Sequence, residues 1–199
     1  FCHVKGMQLR YETNLSAEEY VRQKAWRYAE LPFCPLHPGG GCSLARHGTY
    51  SRKFPQGTKI ARWYCREGHT TFGLLPDCLA ARLPGTLLQI ENVLNTVQDS
   101  TSQEKAADKL REDIELIGAL RWIRHRIFLV RAALVMLTKL LPTFKECTPT
   151  VSCFQEILGL QFVLPVLRGY AHEHLQTLPA PIGFCPKNRF QHKMGTDPP

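Results

Sequence analysis

Five potential metal ligands fall in two short loops between residues 34 and 69, and that placement constrains the fold of this chain more than any other feature. The first loop carries Cys34, His37 and Cys42; the second carries Cys65 and His69. Between them runs a basic, aromatic stretch that reads as a β-hairpin. A structural zinc ion takes four thiolate or imidazole ligands in a tetrahedron, delivered here from two turns. Pro35, Pro38, Gly39, Gly40, Gly41 and Gly68 give the backbone freedom to curl and aim its N–H groups at sulfur. Residues 31–75 therefore read as a zinc ribbon. So small a sheet buries little apolar surface, and metal binding would supply much of its folding free energy.

Five candidates compete for four places. Cys34, Cys65 and His69 take three of them. The compact C-x-x-H spacing favours His37 as the fourth. The stronger zinc affinity of a thiolate, and a glycine loop able to fold back, favour Cys42. The expected set is Cys34, Cys42, Cys65 and His69, with His37 as the alternative fourth ligand. The competing reading is a pair of buried free thiols with histidines at the surface, because the spacings are less regular than two C-x-x-C knuckles.

The flanking segments read as mostly helical. Ser16 with Glu19 three residues on is a capping box, so a helix is expected to about residue 30. Residues 45–54, 58–65 and 70–74 read as strands, with a turn at Pro55-Gln-Gly57. From residue 75 the period becomes helical. A short helix is expected over 76–82, then helices from the Thr86 cap to 97, over 103–111, and over 117–141. In the last of these, Ile123, Ile127, Val130, Leu134, Leu137 and Leu141 form an apolar seam. Two further helices are expected over 148–159 and 161–175, the second bent at Pro165. The expected fold class is α+β, mostly α. Its parts are an N-terminal segment with one helix (1–30), the ribbon (31–75), a helix-turn-helix-like region with a long helix (76–142), C-terminal helices (143–178) and a flexible tail (179–199).

Charge points to a polyanionic partner. The 199 residues carry 25 Lys and Arg against 17 Asp and Glu, a net +8. Residues 31–85 hold seven basic side chains and two acidic ones, 7 − 2 = +5. Arg46, Arg52, Lys53, Lys59, Arg62 and Arg66 interleave there with Tyr50, Phe54, Trp63 and Tyr64, a pattern suited to phosphates and base stacking. In the helical region, 103–111 reads as a positioning helix and the start of the long helix as a recognition helix. Arg121, Arg124 and Arg131 would then face phosphates or guanine edges. The competing reading is an ordinary bundle with solvated arginines.

The remaining cysteines, Cys2, Cys78, Cys147, Cys153 and Cys185, are scattered singly. They read as reduced thiols in a cytoplasmic protein. The N-terminus shows no apolar core of a signal peptide. The apolar stretch 127–141 is interrupted by Arg131 and Lys139 and is too short for a bilayer, so no membrane partner is expected. The chain begins at Phe1, which reads as a removed start, a start at Met7, or a piece of something longer. No catalytic constellation is visible. There is no Gly-rich phosphate loop, G-x-S-x-G or H-E-x-x-H, and the acidic residues of 99–115 cluster beside lysines on short helices. A zinc ion with four protein ligands also leaves no open position for substrate.

Several motifs resemble a bacterial family associated with mobile elements, in which a zinc ribbon precedes a helix-turn-helix as in the front end of insertion-sequence transposases. They are Cys34-Pro35, Arg46-His47-Gly48-Thr49-Tyr50, Trp63-Tyr64-Cys65, Thr71-Phe72 with Leu74-Leu75-Pro76, and Arg121-Trp122-Ile123-Arg124. The likeness spans about residues 17–142. The family's usual second cysteine, three after the first in the second loop, is Gly68 here, with His69 following. The resemblance implies duplex DNA as partner. The family's transposases carry a further catalytic acidic domain for which this chain has no room, so the expectation is a non-catalytic binding protein. The alternative is a protein-interaction adaptor with a purely structural ribbon, using the helix over 117–141 for a partner or for self-association.

Overall fold

The computed structural model describes residues 5–185, which divide into two compact units, Phe1–Leu79 and Ala80–Pro199. Cys2 and the end of the expected tail, 186–199, lie outside the described residues. The described residues combine helices with a four-stranded mixed sheet, an α+β architecture.

In the first unit the strands are β1 (Lys5–Tyr11), β2 (Leu44–Ser51), β3 (Lys59–Cys65) and β4 (Thr70–Pro76), in the order β1-β4-β3-β2. β2, β3 and β4 pair antiparallel, and β1 adds in parallel against β4. The sequence showed three of these strands; β1 came from a stretch without a pattern of its own. Its strand character depends on a partner 65 positions away: Met7 lies opposite Phe72 and Leu9 opposite Leu74.

The helix α1 (Ala17–Arg22) starts at the expected capping box, where Ser16 Oγ accepts from the Glu19 N–H. It stops well short of residue 30 because Lys24 takes a left-handed conformation, φ 53°, and residues 25–27 form a single 3-10 turn. That break carries Trp26 and Ala29 onto the sheet, where they pack with Tyr20, Ala61, Leu74 and Leu9. The Trp63 indole N–H donates to Ala29 O (3.3 Å) and Tyr20 Oη donates to Lys59 O (3.0 Å), fixing the helical layer on one sheet face. On the same face, toward the other end of the sheet, Phe72 and Cys65 pack with Met7, Leu31, Leu44 and Cys34.

The second unit is helical: α2 (Leu87–Asp99), α3 (Gln103–Leu110), α4 (Leu116–Leu140), α5 (Val151–Leu158) and α6 (Leu164–Tyr170). The helix expected over 76–82 does not form. Residues 77–85 are turns, with Arg82 at φ 57° and Gly85 at φ 98°. The segment expected as a helix over 161–175 is α-helical only in α6, with a 3-10 turn at His172–His174, and Pro165 starts α6 rather than bending it, because the first turn needs no N–H donor from it. Residues 179–185 are no flexible tail: Ala180, Ile182, Phe184 and Cys185 are buried, and the buried Arg168 guanidinium donates to the carbonyls of Pro181 and Ile182 (2.8 Å each). Cys147 and Cys153 are joined as a disulfide, so they are not single thiols. Among the described residues no helix is long and apolar enough to cross a membrane.

Candidate metal centre

The first loop is built to return on itself. The His37 N–H donates to Cys34 O (3.0 Å) and the Gly40 N–H to His37 O (2.9 Å), closing two successive turns. Gly40 and Gly41 then adopt φ values of +84° and +80°, which a side chain resists, and bring Cys42 back beside Cys34. Cys65 arrives at the end of β3, where its Sγ accepts the Gly68 N–H at 3.2 Å. Glu67 ties the loops together, accepting from the Ser43 N–H (2.8 Å) and Ser43 Oγ (3.0 Å).

The result is a Cys3His group: one donor atom each from Cys34, His37, Cys42 and Cys65, all within 4.8 Å of one another. His37 Nδ1 lies 3.5 Å from both Cys34 Sγ and Cys65 Sγ. A tetrahedral ion bonded to sulfur at about 2.3 Å and nitrogen at about 2.0–2.1 Å separates those donors by roughly 3.6 Å. The spacing therefore suits an ion at the centre. Cys34 and Cys65 are buried, and His37 and Cys42 are partly exposed.

The thiols disagree about ionisation in the way a cation would resolve. Burial pushes Cys34 up, but hydrogen bonding from His37, the Leu36 backbone and the other two thiols brings it down to about 7. Burial, with the Cys34 and Cys65 sulfurs alongside, pushes Cys42 up to about 12. Sulfurs this close resist ionising together unless a positive charge sits among them, and a divalent ion held there would supply that charge.

Three of the four ligands expected first, Cys34, Cys42 and Cys65, come together, and the imidazole among them is His37. His69 stands outside the group. Neighbouring side chains on a strand point to opposite faces, so Cys65 faces the core beside Phe72 while Tyr64 faces away. His69, at φ 44° in the turn that follows, goes with Tyr64: its Nδ1 is 3.4 Å from Tyr64 Oη. Three candidate ligands thus come from the first loop and one from the second.

The basic side chains divide sharply. Arg46 is committed to the fold, its guanidinium donating to the carbonyls of Trp26 and Arg27. Arg52 and Arg62 are half-buried, and burial pushes Arg52 below its ordinary value. Lys53, over the Phe54 ring, and Lys59 and Arg66 are exposed. In the second unit Arg121, Arg124 and Arg131 are all exposed on α4, and Arg124 Nε donates to Gln103 Oε1 of α3 at 3.2 Å.

Three buried charges, Arg126, Glu91 and Arg168, are not among the residues expected from the sequence. Arg126 lies 3.6 Å over the Trp122 ring, and burial lowers it to about 10. Its position, three after Ile123 and four before Val130, was a legible sign that it sits on the buried side of α4. Glu91, fully buried, accepts the N–H groups of Val163 (2.7 Å) and Leu164 (2.9 Å) at the start of α6. Arg168 holds the 181–182 carbonyls. No local pattern announces either of these last two, since their roles rest on contacts distant in sequence or in irregular backbone.

Comparison with protein-family models, curated proteins and solved structures found no match to this chain.

Proposed function

We propose that this chain is a non-catalytic, zinc-stabilised protein that binds duplex DNA, with α4 as its principal contact. The observation that carries the reading is the outer stripe of α4. Ile117, Arg121, Arg124, Phe128, Arg131 and Lys139 recur at helical spacing and are exposed, and the helix contains no Asp or Glu at all. An α-helix about 10–12 Å across fits a major groove about 12 Å wide, and arginines three or four apart meet phosphates and guanine edges together. α3 packs against α4 and serves as the positioning helix of a helix-turn-helix-like arrangement; the connection 111–115 is longer than a tight turn. In the ribbon, Lys53, Lys59 and Arg66 add phosphate contacts, while Arg46, Arg52 and Arg62 are too engaged in the fold to lead.

Zinc is the ion of choice for the Cys3His group because three thiolates and one imidazole in a tetrahedron match its preference and leave no open coordination position. The resemblance to mobile-element proteins, carried by motifs such as Trp63-Tyr64-Cys65 and Arg121-Trp122-Ile123-Arg124, supports the same reading. A cytoplasmic location is part of the same reading, although the Cys147–Cys153 disulfide weakens the thiol argument for it. One observation favours a second reading, the protein-interaction adaptor: Ile117 and Phe128 on the same stripe are 72% and 63% exposed.

A salt series on duplex binding separates the two. Binding through several phosphates weakens steeply with salt, whereas an apolar helix contact does not. Replacing Arg121, Arg124 and Lys139 with Gln should flatten the log–log salt slope by about 0.9 per lost phosphate contact. Absence of duplex binding at low salt would overturn the reading.

A further inference from the structure

The second unit contains a cleft whose apolar wall the DNA reading does not use; of the exposed α4 stripe it shares Arg131 alone. It has a volume of about 490 Å³ and is walled by α2, α4 and the segment leading into α5. Leu94, Val97, Ile127, Leu134 and Val151 make its apolar wall. One cation, Arg131, stands among the lining residues, and no acidic residue does. Gln98 and the Thr148 and Thr150 hydroxyls, 3.3 Å apart, supply the remaining polar groups. The volume lies in the range of small-molecule sites, and an apolar wall with a few convergent polar groups is their usual composition.

Arg131 takes part in none of the ion pairs among the described residues. A guanidinium beside an apolar wall is matched by a carboxylate on an apolar body, since the pair is charge-assisted and bidentate while the tail displaces water from the leucine and valine surfaces. We propose that this cleft binds an apolar monocarboxylate, with Arg131 holding the carboxylate and the tail lying along Val97, Ile127, Leu134 and Val151. The wall containing Thr148, Pro149 and Thr150 lies between Cys147 and Cys153, so their disulfide holds that side of the site closed into a short loop.

The proposal does not depend on DNA binding, and its test uses no DNA. The probes are decanoate and its uncharged counterpart decanol, titrated into the full chain by calorimetry, with methyl NMR to place them. Decanoate should shift the methyl signals of Val97, Ile127, Leu134 and Val151 and bind about tenfold tighter than decanol. Arg131→Gln, a substitution at an exposed position, should bring decanoate down to the affinity of decanol and leave decanol unchanged. Val97→Phe, which fills the cleft, should weaken both. No decanoate binding, shifts confined to other methyls, or an Arg131→Gln variant that binds decanoate like the parent would each overturn the assignment.

Discussion

His37 and His69 compete for one coordination place, and two alanine substitutions decide between them. His37 Nδ1 sits 3.5 Å from two sulfurs, whereas His69 is exposed and meets Tyr64. Structural zinc binding is worth about 10–16 kcal/mol in small domains, so one ligand of four accounts for about 3 kcal/mol. His37→Ala should therefore weaken zinc binding by about 100-fold or more. With the parent saturated, mass action turns a 100-fold loss of affinity into about 2.7 kcal/mol of lost stability for the first unit. His69→Ala removes only an exposed contact and should change stability by less than about 0.5 kcal/mol, with zinc affinity unaltered. Competition against a chromophoric chelator reads the affinity, and urea unfolding with and without zinc reads the linkage. If His69→Ala releases the metal while His37→Ala keeps it, the assignment of the imidazole ligand is wrong; if neither variant matters, the group does not hold zinc.

The remaining predictions concern protons, the helical core and the disulfide. Zinc must displace the proton that Cys42, pushed up to about 12, holds in the metal-free site, and below about pH 7 the Cys34 proton competes as well. Zinc affinity should rise with pH through neutrality with at least about one proton released per ion, measured by titration in buffers of different ionisation enthalpy; a pH-independent affinity would contradict thiolate ligation. Glu91→Ala leaves the Val163 and Leu164 N–H groups buried without their acceptor and should cost about 3–5 kcal/mol in urea unfolding of the second unit. Burial raises the Glu91 carboxyl, so its charged form costs stability as pH rises above the ordinary value of 4.5, and Glu91→Gln should flatten that part of the stability–pH profile. Replacing Cys147 and Cys153 with Ser should lower stability by about 2 kcal/mol on the chain-entropy account, an effect absent when parent and variant are compared under reducing conditions.

The sequence by itself determined the elements whose cause is local. The β2–β3 hairpin follows from alternation and its turn residues, α1 and α2 start at capping boxes that Ser16–Glu19 and Thr86–Gln89 write into the chain, and the long period of α4 follows from its apolar seam. The presence of Cys34, Cys42 and Cys65 in two glycine-bearing loops was equally plain, because a metal group draws its ligands from turns. Tertiary structure decided what depends on distant partners. β1 is a strand because β4 offers it an edge, α1 stops early because Lys24 turns Trp26 and Ala29 onto the sheet, and 179–185 is ordered because Arg168 holds its carbonyls. The fourth candidate ligand belongs to the same class. Both His37 and His69 lie within reach of the sulfurs along the chain, and only the face on which β3 places Cys65, opposite to Tyr64, selects His37: alternation along a strand sends neighbouring side chains to opposite sides, and His69 follows the wrong one.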